Sequence, residues 1–121
     1  MPRFTISKHT LRDEKFHYDF MLEVEGAEKL KTWRLENVDF SKPQLAVQNF
    51  DHRRIYLDYE GDISGDRGIV AIWDTGMYNA ERWDRDYLVI KLSAKKLDNR
   101  IALSLRSDSA GENAEWEVVA I

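Results

Sequence analysis

The stretch Phe16-His17-Tyr18-Asp19-Phe20-Met21-Leu22-Glu23-Val24 decides how this chain is read. Side chains alternate along an extended strand, so Phe16, Tyr18, Phe20, Leu22 and Val24 share one face and His17, Asp19, Met21 and Glu23 the other. The first face is a large apolar surface that calls for a core. The second begins with an imidazole and a carboxylate, two residues apart and projecting the same way.

Working outward, the same period-2 alternation, rich in β-branched and aromatic residues, recurs along the chain. It predicts strands over Phe4–Lys8, Phe16–Val24, Leu30–Leu35, Gln44–Phe50, Ile55–Glu60, Gly68–Asp74, Asp86–Leu92, Asn99–Leu105 and Glu115–Ile121. Turn signals separate them, among them Gly26, Ser41-Lys42-Pro43, Gly61-Asp62, Ser64-Gly65-Asp66, Asp74-Thr75-Gly76 and Asp98-Asn99. A short helical turn is expected around Lys8–Lys15, capped by Ser7 or Thr10. Many short strands at close spacing point to an all-β, mainly antiparallel fold, a small barrel with at most short helical turns. No repeat or linker interrupts residues 1–121, which read as a single domain.

The bulk composition narrows the functional classes. A chain of 121 residues is long enough to bury a core without staples, and it has no cysteine, so disulfides, thiolate metal sites and cysteine nucleophiles are excluded. The absence of cysteine and of an apolar leader in Met1–Lys8 leads to the expectation of a cytoplasmic protein with no membrane span. A net charge of −4 argues against nucleic-acid binding by bulk electrostatics, although Lys29, Lys31 and Arg34, Arg53 with Arg54, and Lys95 with Lys96 form local basic groups. No Walker loop, dinucleotide glycine pattern or Ser-His-Asp arrangement appears.

Three histidines, His9, His17 and His52, are the candidates for metal ligation or proton transfer. The His17-x-Asp19 pair supplies two adjacent donors on one strand face, and a third must come from elsewhere in the fold. The sequence around them resembles the 3′-phosphoesterase module of bacterial DNA ligase D. Lys8-His9 followed by His17-Tyr18-Asp19-Phe20-Met21-Leu22-Glu23 resembles that family's K-H and L-H-Y-D-F-R-L-E signature. Leu45-Ala46-Val47, Asp51-His52, Tyr56 and Glu60-Gly61 resemble its R-L-A-V, E-D-H-P, Y and F-E-G elements. Thr32-Trp33, Val70-Ala71-Ile72-Trp73-Asp74-Thr75-Gly76 and the segment from Lys96-Leu97 to Trp116 extend the likeness over nearly the whole chain.

The resemblance implies a compact β-barrel whose cleft holds a divalent metal, typically manganese, with zinc also compatible with the donor set. It assigns His9, Asp19 and His52 as ligands, His17 as the group that contacts the scissile phosphate and acts as acid or base, and Tyr56 as a hydrogen-bonding neighbour. It also implies nucleic-acid 3′ ends as partners and a functional link to a DNA ligase. Mixed imidazole and carboxylate ligation suits manganese or zinc.

The departures from the family pattern are concentrated. Met21 stands where the family has arginine, on the face shared by His17 and Asp19, and methionine brings neither charge nor donor. Ser7, Asn37, Gln44 and Phe50 replace a glutamine, a lysine, an arginine and an acidic residue. Arg34, Arg53 and Arg54 are the candidates for a replacement phosphate grip, with Arg12 and Lys15 as further cations. The preferred reading is a stand-alone, divergent metal-dependent phosphoesterase. The alternative is a metal-binding or nucleic-acid or protein interaction module without catalysis. A metal-independent nucleic-acid-binding barrel is a third class. Trp83, in the charged stretch Glu81–Asp86, is the tryptophan to test for substrate contact, with packing as its expected role.

Overall fold

The computed structural model describes residues 1–121. Ten strands and one short 3-10 turn follow in order: β1 (Arg3–Thr10), β2 (Phe16–Leu22), β3 (Lys29–Leu35), β4 (Gln44–Gln48), β5 (His52–Arg53), η1 (Arg54–Leu57), β6 (Gly61–Asp62), β7 (Ile69–Trp83), β8 (Tyr87–Ala94), β9 (Arg100–Leu105) and β10 (Glu115–Ala120). Neighbours pair in the order β1-β2-β3-β4-β10-β9-β8-β7, and β7 returns to β1, closing an all-β barrel of antiparallel strands. Closure leaves the main wall without an open edge. β5 and β6 lie off the ring, paired to β3 and β7 respectively.

The alternation in β2 is realised on both faces. Phe20 and Leu22 enter the main core with Phe4, Ile6, Trp33, Leu35, Ile90 and Trp116. Edge-on aromatic contacts order it, with the rings of Trp33 and Trp116 centred 5.6 Å apart. On the opposite face, Met21 packs with Leu30 and Leu57 in a small second cluster, flanked by Tyr56. This outer face belongs to the strand positions that carry His17 and Asp19. It is covered by the chain from β5 through η1, pinned where Thr5 Oγ1 donates to the Leu57 carbonyl at 2.8 Å.

Three elements differ from the sequence-based expectation. Ile55–Glu60 is not a strand; the chain turns into η1, because β3 offers no strand position beyond the Lys29–Arg53 pair. Lys8–Lys15 has no helix: β1 runs to Thr10 and a tight turn follows, with Leu11 N–H donating to the Lys15 carbonyl at 2.8 Å and Glu14 at φ 70°. Asp74-Thr75-Gly76 is not a turn but the middle of the long β7. Gly76 is there for close approach: a Cβ at this position would lie 2.2 Å from the Ser93 carbonyl oxygen. Asp74, buried, instead accepts the N–H groups of Lys96 and Leu97 at 2.9 Å each and so closes the β8–β9 connection.

No helix is long and apolar enough to cross a membrane.

Candidate metal centre

Strand pairing brings the histidines together. His9 on β1 stands opposite His17 on β2, and Ser7 stands opposite Asp19. Across the next strand pair, Asp19 faces Arg34 of β3. His52 arrives by a different device. Trp33 faces Gln48, but Leu30, three residues earlier, faces His52, four residues later. The extra residue is a bulge within Asn49–Asp51, bracketed by the Asn49 N–H bond to the Thr32 carbonyl at 3.0 Å. Were these same residues paired regularly, with no bulge, Asp51 rather than His52 would stand opposite Leu30, since one step of register moves every side chain to the other face.

The three imidazoles converge on one carboxylate. Asp19 Oδ2 lies 3.8 Å from His9 Nδ1 and 3.9 Å from His52 Nε2, while Asp19 Oδ1 lies 3.2 Å from His17 Nε2. The first two separations are too long for hydrogen bonds. They fit donors sharing an ion, since two atoms each bound at about 2.1 Å stand no more than about 4.2 Å apart. His9, His17 and Asp19 also form a compact trio, with one donor atom from each all within 4.8 Å.

The far nitrogens of two imidazoles are held by backbone carbonyls. His9 Nε2 lies 2.7 Å from the Arg67 carbonyl oxygen, and His52 Nδ1 lies 3.0 Å from that of Phe50. A carbonyl only accepts, so these nitrogens carry protons, and in the neutral imidazoles His9 Nδ1 and His52 Nε2 keep their lone pairs on the side of the carboxylate. Asp19 is 4 % exposed, and its Oδ1 makes no hydrogen bond. His17 Nε2 stands 3.2 Å from that oxygen without making a hydrogen bond. A buried acceptor left unpaired costs about 1–3 kcal/mol. Two ring nitrogens 3.8 and 3.9 Å from Asp19 Oδ2, on a buried carboxylate that accepts no hydrogen bond, therefore fit a cation shared among them.

The cluster floors a cavity of about 470 Å³. Tyr56 lines it from η1, its ring 5.9 Å from that of His52 and edge-on to it. Arg34 and Arg53 line it too, as do Lys29 and Arg67, which sequence reasoning had not assigned to the site. Lys29, Arg34 and Arg53 make no ion pair, whereas Arg67 is turned onto Ser64, donating to its carbonyl at 2.7 Å. Arg54 lies outside the lining; its guanidinium is tied to the Glu23 carboxylate and the Ala27 carbonyl. Arg12 pairs with Asp66, and neither Arg12 nor Lys15 lines the cavity. Trp83 ends β7 and stacks on Tyr78 with rings 6.5 Å apart, away from the site.

The departures separate into two groups. Asn37 and Gln44 are remote from the cavity and clasp each other, Gln44 Nε2 donating to the Asn37 carbonyl at 3.0 Å. Met21, Ser7 and Phe50 do line it. Ser7 is buried, and its hydroxyl has no partner within the chain. Only its place beside K-H in the signature could have drawn attention to it.

Comparison with known proteins places the chain in a family. The chain is 32 % identical over 128 aligned residues to the multifunctional non-homologous end joining protein LigD of Pseudomonas aeruginosa, covering 97 % of this chain and 15 % of that protein. To the LigD non-homologous end joining DNA repair protein of Mycobacterium tuberculosis it is 34 % identical over 110 residues, covering 83 % of this chain and 14 % of the relative. It thus spans about a seventh of the length of each. The family model described as the DNA ligase D 3′-phosphoesterase domain matches residues 7–105, a span that takes in His9, His17, Asp19, His52 and Tyr56, and to that family the chain belongs.

Proposed function

We propose that this chain is a metal-dependent phosphoesterase that trims nucleic-acid 3′ ends, removing a 3′-phosphate or a 3′-terminal ribonucleotide in preparation for ligation. The observation that carries the reading is the pair of backbone-anchored imidazoles, His9 and His52, whose remaining lone pairs face Asp19. His9, Asp19 and His52 hold the ion, manganese by preference and zinc as the alternative. When bound, the metal polarises the phosphoryl oxygen and acidifies a water.

His17 is the acid–base group. It has no anchoring carbonyl of the kind that fixes His9 and His52, and Asp19 Oδ1 lies beside its Nε2. It is therefore placed to hold a proton at that nitrogen and pass it to the leaving oxygen. Tyr56 offers its hydroxyl from the cavity wall. Arg34, Arg53 and Lys29 have no acidic partner and line the cavity, so they are free to bind the phosphate. Their charge takes over from the arginine that Met21 replaces. Arg53 is held with its guanidinium 5.7 Å above the Tyr56 ring.

One observation favours a second reading, a metal-binding module without catalysis. Met21 is 1 % exposed and packed with Leu30 and Leu57, so the position of the family arginine is buried and carries no charge. The test is metal-stripped protein given an end-labelled primer–template with a 3′-phosphate or a single 3′-ribonucleotide, with and without manganese. Trimming that requires manganese and disappears in Asp19→Ala supports the enzyme. Metal binding without trimming supports the module.

A further inference from the structure

We propose that Phe50 is the platform on which the base of the substrate's terminal nucleotide stacks, so that this site selects nucleotide esters over base-free phosphate esters. The inference rests on the phosphoester reading above and adds to it a residue that determines specificity. Phe50 is 71 % exposed, although its ring is large and apolar. One face is covered: it stacks on the His52 imidazole with centroids 4.8 Å apart and planes inclined by 23°. The other face is open. A ring held flat by its neighbour, with the opposite π-face presented to solvent, is ready to accept another flat ring.

Its position borders the metal site. Phe50 lines the metal-site cavity and also a second recess beside it, formed with Gln48, Asn49, Asp51 and the Gly111–Asn113 loop. A group stacked on its open face is separated from the Asp19 cluster by two rings, those of Phe50 and His52. The recess supplies polar edges. The Gln48 side-chain carbonyl accepts from Trp116 Nε1 at 3.0 Å and that of Asn49 accepts from the Phe50 N–H at 2.9 Å. Their NH₂ groups donate to nothing within the chain, which leaves donors for the acceptor edge of a base. The acidic residue that the family pattern has at this position would repel a phosphodiester backbone; phenylalanine replaces that repulsion with a stacking surface.

The test is calorimetric binding of two secondary phosphate esters to manganese-loaded protein, adenosine 3′-monophosphate and the base-free glycerol 2-phosphate. The wild type should bind the nucleotide about 5- to 150-fold more tightly, the range expected of one base–aromatic stack. Phe50→Ala and Phe50→Leu, the second keeping apolar cover over His52, should both lose that preference with unchanged affinity for glycerol 2-phosphate, and Phe50→Tyr should keep it. A preference that survives Phe50→Ala, or a variant that weakens both esters equally, overturns the assignment while leaving the phosphoester reading intact. Failure of the wild type to bind either ester overturns both.

Discussion

Asp19 is the residue on which the account turns. It is buried, bordered by three imidazoles, and left with an unpaired oxygen, an arrangement unfavourable for the empty protein and favourable once a cation is shared. Asp19→Asn should therefore fold with a melting temperature no lower than that of metal-free wild type, yet lose the stabilisation that manganese brings. In the wild type that stabilisation is about 2.7 kcal/mol when manganese stands at 100 times its dissociation constant, a shift readable by thermal melting. Arg34 faces Asp19 across β2 and β3 and has no competing carboxylate. Arg34→Ala should lower kcat/KM about 10- to 1,000-fold while leaving manganese affinity unchanged, and steady-state kinetics beside a metal titration will show it. These residues were legible because three histidines and an aspartate fall in order on a recognisable signature. Lys29 and Arg67 were not. Arg67 reaches the site by offering its carbonyl to His9 across 58 residues of sequence, and no local pattern encodes such a contact.

At the scale of elements, the strands were legible from the alternation of side-chain chemistry. In β2 and β3 both faces are buried, yet the core takes Phe20, Leu22, Trp33 and Leu35 while Asp19, Met21 and Leu30 lie on the other face, so the alternation survives. The reading failed where tertiary context overrode a local signal. Ile55–Leu57 alternates like a strand but lies past the last partner that β3 offers, and only Leu57 of η1 is buried. Gly76 carries a turn signature but serves to let β8 approach, so Gly76→Ala should force β7 and β8 apart, costing about 1–3 kcal/mol in urea unfolding. The bulge within Asn49–Asp51 makes a sharper prediction. Deleting Asn49 removes the extra residue, so Phe50, Asp51 and His52 follow Gln48 in regular pairing and His52 still stands opposite Leu30, whereas inserting one glycine after Gln48 with the bulge kept moves Asp51 into that place. The barrel core does not include this segment, so both proteins should fold, the shortened one binding manganese and the lengthened one failing to; circular dichroism and a metal titration will separate folding from binding.

The whole molecule is a closed wall with its core inside and its chemistry on the outer face of β1, β2, β3 and β5. Separation of the two lets the site carry unpaired polar groups without disturbing the packing that pins it. One global titration follows from the core. Tyr78 is 2 % exposed and donates its hydroxyl to the Glu23 carbonyl at 2.6 Å; burial pushes its phenol up from 10.0 to about 12. Because the folded value is raised, the stability it contributes is complete below pH 10 and is lost as pH rises toward about 12. Chemical unfolding followed across that window should show a decline on the order of 1–2 kcal/mol that Tyr78→Phe abolishes, at a fixed cost of about 1 kcal/mol for the lost hydrogen bond. The barrel itself was legible from strand number and spacing, whereas its closure through β1 and β7 was not, because those strands meet across some 70 residues with no sequence signal of their pairing.

The metal centre can be tested without any assumption about substrate. Crystals of metal-stripped protein soaked in manganese, with diffraction recorded at the manganese absorption edge, report the position of the ion directly. The account predicts one anomalous peak in bonding contact with His9 Nδ1, Asp19 Oδ2 and His52 Nε2, with His17 outside the coordination shell. A peak held by His17 in place of His52, or no peak at Asp19 at all, would contradict it.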